Sequence, residues 1–259
     1  MKLPIYQVDA FASKTFEGNP AAICPLKSWL DDDVLLSIAA ENNLSETAFY
    51  VMTPKGFHIR WFTPTTEVDL CGHATLATAY VIFNEFDYQG DSISFDSRSG
   101  ILTVKKNDDL LEMDFPTQPA TNCDLPPELE HAFSIKPIEC LEAEDYILVF
   151  NTEDEILNAQ PKLELLKDIK RRGVIITARS EKYDFISRFF APKYGIDEDP
   201  VTGSAYTQLA PYWKNKLGKN QLHAKQVSKR GGEVFCEDLG ERISIAGTAV
   251  KFLQGEITL

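Results

Sequence analysis

The sequence lacks the common nucleotide-binding, hydrolase and metal-binding fingerprints. No two of its 14 glycines are spaced as G-x-G, and neither GxxxxGK[ST] nor GxSxG occurs, which argues against dinucleotide, P-loop and serine-hydrolase sites. Its 4 histidines are scattered, and Cys71 and His73 have no further ligands at metal-site spacing. We therefore expect neither a metal nor a cofactor.

Long apolar runs and positive charge are also scarce. No segment approaches the ~18–20 apolar residues of a membrane helix, and the best candidate, 76–83, is typical of a core helix. A formal net charge of −13 repels phosphate backbones, so we expect no nucleic-acid partner. The 5 cysteines form no CxxC pair and the N-terminus carries no export signal, which predicts reduced thiols and a cytoplasmic protein.

The two halves of the chain resemble each other at an offset close to half its length. Each single match is weak, but four matches in the same order predict an internal duplication. The matching pairs are Phe62-Thr-Pro64 with Phe190-Ala-Pro192, Gly72-His73-Ala74 with Gly203-Ser204-Ala205, Thr47-Ala48 with Thr177-Ala178, and Arg98-Ser-Gly100 with Arg230-Gly-Gly232.

Each half combines several alternating β segments with few helices. A strand is predicted over 45–52, and helices are predicted after the N-cap Asp31, over 72–83, and from Gly203. This pattern predicts an α+β protein of two domains, 1–118 and 119–259, with an active-site cleft between them. Residues 116–127 form the predicted linker, and the final strand is expected to pair back with the first domain.

Positions that differ between matched halves are candidates for function. Glu46 matches Ile176, so a carboxylate replaces a buried-type aliphatic residue, and burial would raise its pKa toward the range useful for proton transfer. His73 matches Ser204, and Asp199 lies in an insertion that the first half lacks. The alternatives are a solvent-facing glutamate, a structural histidine and a simple turn aspartate before Pro200.

Two small-residue turns open the predicted helices at Gly72 and Gly203. Free N–H groups and the positive end of a helix dipole favour an anion, so a substrate carboxylate is expected between them, although G-x-A could serve only as a tight turn. Cys71 matches Thr202, so the second thiol of a two-thiol racemase is missing. Cys71 is therefore interpreted as an inert wall residue.

These blocks resemble the PhzF-like (phenazine-biosynthesis isomerase-like) family over nearly the whole chain. The segments that carry the resemblance are Val8-Asp-Ala-Phe11, Phe16-x-Gly18-Asn19-Pro20, Asn43-Leu-Ser45-Glu46-Thr-Ala-Phe49, Phe62-Thr-Pro64, Asp69-Leu-Cys71-Gly72-His73-Ala-Thr75, Asp199-Pro-Val-Thr-Gly203-Ser204-Ala205 and Gln226-x-Ser228-x-Arg230-Gly-Gly232.

The resemblance implies a diaminopimelate epimerase-like fold with two similar halves, each a barrel-like, mostly antiparallel sheet around a central helix. It also implies catalysis without cofactor or metal, a homodimer, and catalytic roles for Glu46, His73, Asp199 and Ser204, with Asn19 lining the site. The family's best-understood member isomerises a dihydro-hydroxyanthranilate with a glutamate as proton shuttle.

The sequence thus predicts an isomerase that moves a proton on a small carboxylate-bearing metabolite, with Glu46 as acid and base. One base acting on one face favours isomerisation over inversion. The alternatives that stay open are an amino-acid racemase or epimerase on the same scaffold and a non-catalytic protein that binds small acids.

Overall fold

A computed structural model describes all 259 residues of the chain. The elements of residues 1–116 are β1 (Lys2–Ala10), β2 (Asn19–Leu26), α1 (Asp32–Asn42), β3 (Glu46–Thr53), β4 (Gly56–Phe62), β5 (Glu67–Val68), α2 (Gly72–Glu85), β6 (Ser92–Ser97), β7 (Gly100–Asn107) and β8 (Leu110–Pro116). The fold is α+β, as the sequence predicts, and its sheet is mixed and unclosed. No helix is long and apolar enough to cross a membrane.

The elements of residues 117–259 follow the same general plan, with more short helices. They are β9 (Thr121–Asn122), α3 (Pro127–Ala132), β10 (Glu139–Glu142), β11 (Tyr146–Val149), α4 (Glu153–Leu157), α5 (Leu163–Leu166), β12 (Val174–Arg179), β13 (Phe185–Ala191), β14 (Ile196–Asp199), α6 (Tyr206–Leu217), β15 (Gln221–Gln226), β16 (Gly232–Asp238), β17 (Arg242–Gly247) and β18 (Ala249–Thr258). The sequence did not predict β2, β5, β9, β10, β14, α3, α4 or α5, and it predicted a final strand that pairs back with the first domain without giving the bounds of β18.

The chain divides into two compact units. The first contains Met1–Asp114 and Ala246–Leu259, and the second contains Phe115–Ile245. The boundary thus falls a few residues before the predicted 118, and the C-terminal segment belongs to the first unit, where β18 pairs antiparallel with β1.

The first unit has two parallel strand pairs in an otherwise antiparallel ladder. Strand β2 runs parallel to β3, and β4 runs parallel to β6 after the crossover through α2. The pairs β1–β2, β3–β4, β6–β7 and β7–β8 are antiparallel. Helix α2 is almost wholly buried and contacts β1, β2, β3, β7 and β18, so it is the central helix that the resemblance implies.

The second unit repeats this ladder. Strand β11 runs parallel to β12, β12 pairs antiparallel with β13, and β13 runs parallel to β15 after the crossover through α6. This repetition of pairing directions agrees with the matching F-x-P and G-x-A motifs of the two halves. Each unit also has its own apolar core, which contains Leu35, Phe49 and Phe62 in the first and Leu148, Ile176 and Phe190 in the second.

Strand register corrects one sequence match. Thr47 lies opposite Phe62 in the first unit, whereas Val174 lies opposite Phe190 in the second. With the two phenylalanines of F-x-P aligned, the counterpart of Glu46 is therefore Gly173 and not Ile176. The chance identity of two Thr-Ala pairs shifted the sequence match by three positions, because the β12–β13 turn is longer than the β3–β4 turn.

Candidate active site

A glycine-dependent turn delivers Asn19 to the start of β2. Gly18 has φ +67°, and a Cβ there would lie 2.1 Å from the Ala10 carbonyl oxygen, so only glycine fits. The buried carboxylate of Asp9 accepts a hydrogen bond from the Phe16 backbone N–H at 3.1 Å and holds the same turn. The first sequence motif thus serves to place Asn19, which is fully buried.

Glu46 and His73 meet inside the first unit. Glu46 is the first residue of β3 and His73 is the second residue of α2. Glu46 Oε2 lies 3.2 Å from His73 Nε2, and the side chains are only 14% and 9% exposed. The two atoms lie within ion-pair distance but are not aligned as a hydrogen bond.

The surroundings of His73 set its protonation and tautomer. Burial lowers the pKa of His73 to about 4, so the ring is neutral at pH 7. Asn19 Nδ2 approaches Nδ1 at 3.4 Å, and because an amide nitrogen can only donate, Nδ1 accepts and the ring hydrogen lies on Nε2. The N–H of His73 therefore faces Glu46 as the neutral partner of a potential base.

Cys71 contacts the same histidine. It is the N-cap of α2, is buried, and its Sγ lies 3.6 Å from His73 Nδ1. The sequence interpretation of an inert wall residue did not anticipate this contact. Gly72 follows as the first helical residue, and the backbone N–H of Thr75 is the first to bond back, to Cys71 O. The preceding N–H groups at this helix start belong to the set that a helix leaves without intrahelical partners.

Three possible metal ligands gather at this point. One ligand atom each of Glu46, Cys71 and His73 lies within 4.8 Å of the others. The sequence found no third ligand because Glu46 comes from a strand distant in sequence. Oxygen, nitrogen and sulfur donors of this kind suit zinc. The expectation of a metal-free site stays a prediction.

The second unit holds Asp199 and Ser204. Asp199 is the last residue of β14, is 9% exposed, and its Oδ2 accepts a hydrogen bond from Thr202 Oγ1. Gln226 secures this segment, since its Nε2 donates to Asp199 O at 2.8 Å and its Oε1 accepts from Thr202 N at 2.9 Å. Asp199 is thus part of a buried strand end and not a simple turn residue.

Ser204 lies in a 3₁₀ turn and not in an α-helix. The sequence predicted a helix from Gly203, but residues Gly203–Ala205 form a 3₁₀ turn and α6 begins at Tyr206. Arg172 Nη1 donates to Ser204 Oγ at 3.1 Å. Sequence reasoning missed Arg172, whose only signal is its position just before a predicted strand.

Comparison with known proteins decides the family. A family described as "Phenazine biosynthesis-like protein" matches residues 8–255. An "uncharacterized isomerase" of Pseudomonas aeruginosa is 49% identical over 100% of both chains. The chain belongs to the phenazine biosynthesis-like family. The resemblance drawn from the motifs is thereby confirmed, and the names of the relatives support an isomerase-like function.

Solved structures agree with this assignment. A family protein from Enterococcus faecalis has a TM-score of 0.98 and 45% identity over 100% of both chains. A hydroxyproline epimerase from Agrobacterium vitis has a TM-score of 0.64 and covers 99% of this chain and 92% of its own, at 8% identity. That level of identity shows the fold alone, and it confirms the predicted epimerase-like architecture.

For this family member, the structure groups the predicted site residues by unit. Asn19, Glu46, Gly72 and His73 lie together in the first unit, with Cys71. Asp199, Gly203 and Ser204 lie in the second unit, close to Thr202 and Arg172. That the two groups serve one substrate stays a prediction.

Proposed function

We propose that this protein is an isomerase that moves a proton on a small carboxylate-bearing metabolite, with Glu46 as the acid and base. The observation that supports this most is the Glu46 carboxylate 3.2 Å from a histidine whose pKa is lowered to about 4. A neutral histidine at pH 7 keeps its Nε2 hydrogen for donation. Glu46 is then the group suited to take the proton.

The proposed reaction has two proton transfers. Ionised Glu46 removes a proton from a carbon next to an electron sink, and the electrons of the broken C–H bond move into that sink. His73 Nε2–H donates to the negative charge that develops there. Protonated Glu46 then returns the proton to another carbon on the same face, which restores the carboxylate. No atom is gained or lost.

A racemase remains the second candidate because Cys71 lies 3.6 Å from His73. A thiol beside an imidazole is a possible second base. Against this, the N-cap residue of the matching turn in the second unit is Thr202, which has no thiol. We therefore rank the isomerase first.

The test is a panel of small carboxylates in D₂O followed by proton NMR. The panel comprises a dihydro-hydroxyanthranilate, anthranilate, itaconate, L-proline and trans-4-hydroxy-L-proline, each with its binding measured by thermal stabilisation and calorimetry. An isomerase moves a double bond or exchanges a C–H of one compound while leaving its chirality intact. Inversion of chirality would favour the racemase, and binding without exchange would favour a non-catalytic protein.

A further inference from the structure

The two units place comparable contacts near the start of their corresponding strands β3 and β12. In the first unit Glu46, at the start of β3, contacts His73 at 3.2 Å. In the second unit Arg172, which directly precedes Gly173, the counterpart of Glu46, contacts Ser204 at 3.1 Å. Near the start of the corresponding strands β3 and β12, each unit thus has an ionisable side chain that contacts the residue after the turn glycine. Arg172 lies one position before the counterpart of Glu46, so the cation is a neighbour of that position and not its direct replacement.

The guanidinium of Arg172 is fixed by a buried carboxylate. Nε donates to Asp145 Oδ1 at 2.9 Å and Nη2 donates to Oδ2 at 2.6 Å, in the two-pronged geometry that suits arginine. Asp145 is fully buried and accepts a third hydrogen bond from Gln208 Nε2 at 2.7 Å. Gln208 Oε1 in turn accepts from the Asp145 backbone N–H at 3.0 Å, so the network is held on both sides.

This arrangement leaves Arg172 little freedom and little free charge. Its guanidinium carbon lies 5.3 Å from the centre of the Phe189 ring, and Nη1 also lies 3.2 Å from a carboxylate oxygen of Glu144. Two acidic neighbours compensate its charge, so it is poorly suited to capture a substrate anion by itself. Its remaining function is directional, through the hydrogen bond from Nη1 to Ser204.

That hydrogen bond sets the direction of the Ser204 hydroxyl. Arginine can only donate, so Ser204 Oγ accepts, and the hydroxyl hydrogen must point away from the guanidinium. Ser204 is partly exposed, on a short turn whose backbone is tied by Thr207 Oγ1 donating to Ser204 O at 2.7 Å. A serine held in this way is a preorganised donor for an anionic oxygen.

We propose that Arg172, locked by Asp145 and Gln208, is a positioning residue that fixes Ser204 as a hydrogen-bond donor to the substrate carboxylate. The inference rests on the proposed function, because it assigns the binding of the carboxylate that function requires. The alternative is a purely structural role, in which Arg172 only neutralises the charge of Asp145. Loss of Arg172 would then lower stability and leave carboxylate binding unchanged.

The test is a double-mutant cycle with Arg172→Lys and Ser204→Ala, in the full-length protein. Lysine retains the charge next to Asp145 but cannot bridge two partners as a planar fork does. We measure the affinity for the panel carboxylate that stabilises the wild type most, and KM and kcat for any compound it turns over. Each single change should weaken binding about tenfold through KM, and the double change no more than either alone.

Arg188→Lys is the matched control. Arg188 binds Glu198 with the same two-pronged geometry and stacks on Phe190, but its remaining Nη1 donates to the carbonyls of Ile156 and Ala159. Arg188→Lys should lower the melting temperature about as much as Arg172→Lys does, and it should leave carboxylate affinity unchanged. If Arg172→Lys does not fold, Gln208→Met loosens Asp145 without removing a charge, and its effect should likewise vanish in the Ser204→Ala background.

Two results would contradict the inference in different ways. If the wild type binds and exchanges a carboxylate but the two losses multiply, or Arg172→Lys behaves like Arg188→Lys, only the positioning role fails. If the wild type neither binds nor exchanges any compound of the panel, the proposed function fails, and the positioning role fails with it.

Discussion

The two units share a strand ladder but differ in the polar groups near the start of the corresponding strands β3 and β12. In the first unit an acid, Glu46, lies against the neutral imidazole of His73. In the second unit a cation, Arg172, is neutralised by Asp145 and lies against the hydroxyl of Ser204. The first arrangement suits proton transfer and the second suits anion binding. Duplication preserved the pairing of strands, while the side chains that carry chemistry diverged.

A single substitution cannot place a glutamate in the second unit at the position that corresponds to Glu46. Gly173, the counterpart of Glu46, has no room for a side chain, since a Cβ there would lie 2.6 Å from the Phe189 ring and 2.8 Å from the Phe190 carbonyl oxygen. The ring of Phe189 is the same one on which Arg172 stacks. The absence of a side chain at Gly173 thus leaves room for the Phe189 ring on which Arg172 stacks.

The largest loss of stability is expected from breaking the ion pair of the second unit. Asp145→Asn should lower the free energy of unfolding by about 3–5 kcal/mol, because it leaves the Arg172 charge without its buried partner. Urea denaturation measures this. Glu198→Gln, which removes a carboxylate that is more exposed than Asp145 from the pair with Arg188, should cost less, about 1 kcal/mol. Equal losses for both variants would show that the Asp145 network is not special.

His73 titrates and its counterpart Ser204 does not, so only the first unit should contribute a pH dependence to the free energy of unfolding from this position. The unfolded chain takes up a proton on His73 near the ordinary pKa of 6.5, whereas the folded chain does so only near 4. Between these values the unfolded state binds more protons, so the free energy of unfolding falls as the pH is lowered. The expected loss from pH 6.5 to 4 is about 3 kcal/mol.

Comparison of variants isolates this contribution. His73→Asn should abolish that part of the pH dependence, and the exposed His131→Asn should leave it unchanged. Denaturation midpoints measured at half-unit pH intervals provide the readout. A wild type and a His73→Asn variant with parallel pH profiles would mean that His73 titrates normally in the folded protein.

The smallest effect is expected at Cys71. Cys71→Ala should reduce hydrogen exchange less than about tenfold, which corresponds to about 1.4 kcal/mol, because the matching N-cap Thr202 supplies no second thiol. Treatment with iodoacetamide, with and without ligand, gives an independent measure. Rapid inactivation that ligand prevents, and that is absent in Cys71→Ala, would instead support the thiol mechanism.

Much of the fold follows from local sequence patterns. The helix opening at Gly72, strand β3 and the duplicated F-x-P blocks were all predicted. Strand β2 was missed because its sequence, NPAAICPL, contains two prolines, which argue against a strand paired on both sides. A final strand that pairs back with the first domain was predicted, but its bounds were not, because most of β18 is exposed and burial imposes no alternation on its residues.

The candidate site was only partly predictable. Family motifs identified Glu46 and His73, but spacing alone could not bring together residues from a strand and a helix. The Arg172 network was beyond reach because its hydrogen bonds join Asp145 and Gln208, which are 63 positions apart, and Arg172 and Ser204, which are 32 apart. Such contacts depend on tertiary packing, which local sequence patterns do not predict.

The most direct test of the account is hydrogen exchange by Glu46→Gln. The change keeps the size of the side chain and removes only its capacity to carry a proton, so we expect exchange to fall by about 10²–10⁴-fold while the melting temperature and carboxylate affinity change little. Glu67→Gln is the control, since it alters a largely buried glutamate of the same unit that pairs with Arg60. Retention of more than about a tenth of wild-type exchange by Glu46→Gln would contradict the central claim that Glu46 moves the proton.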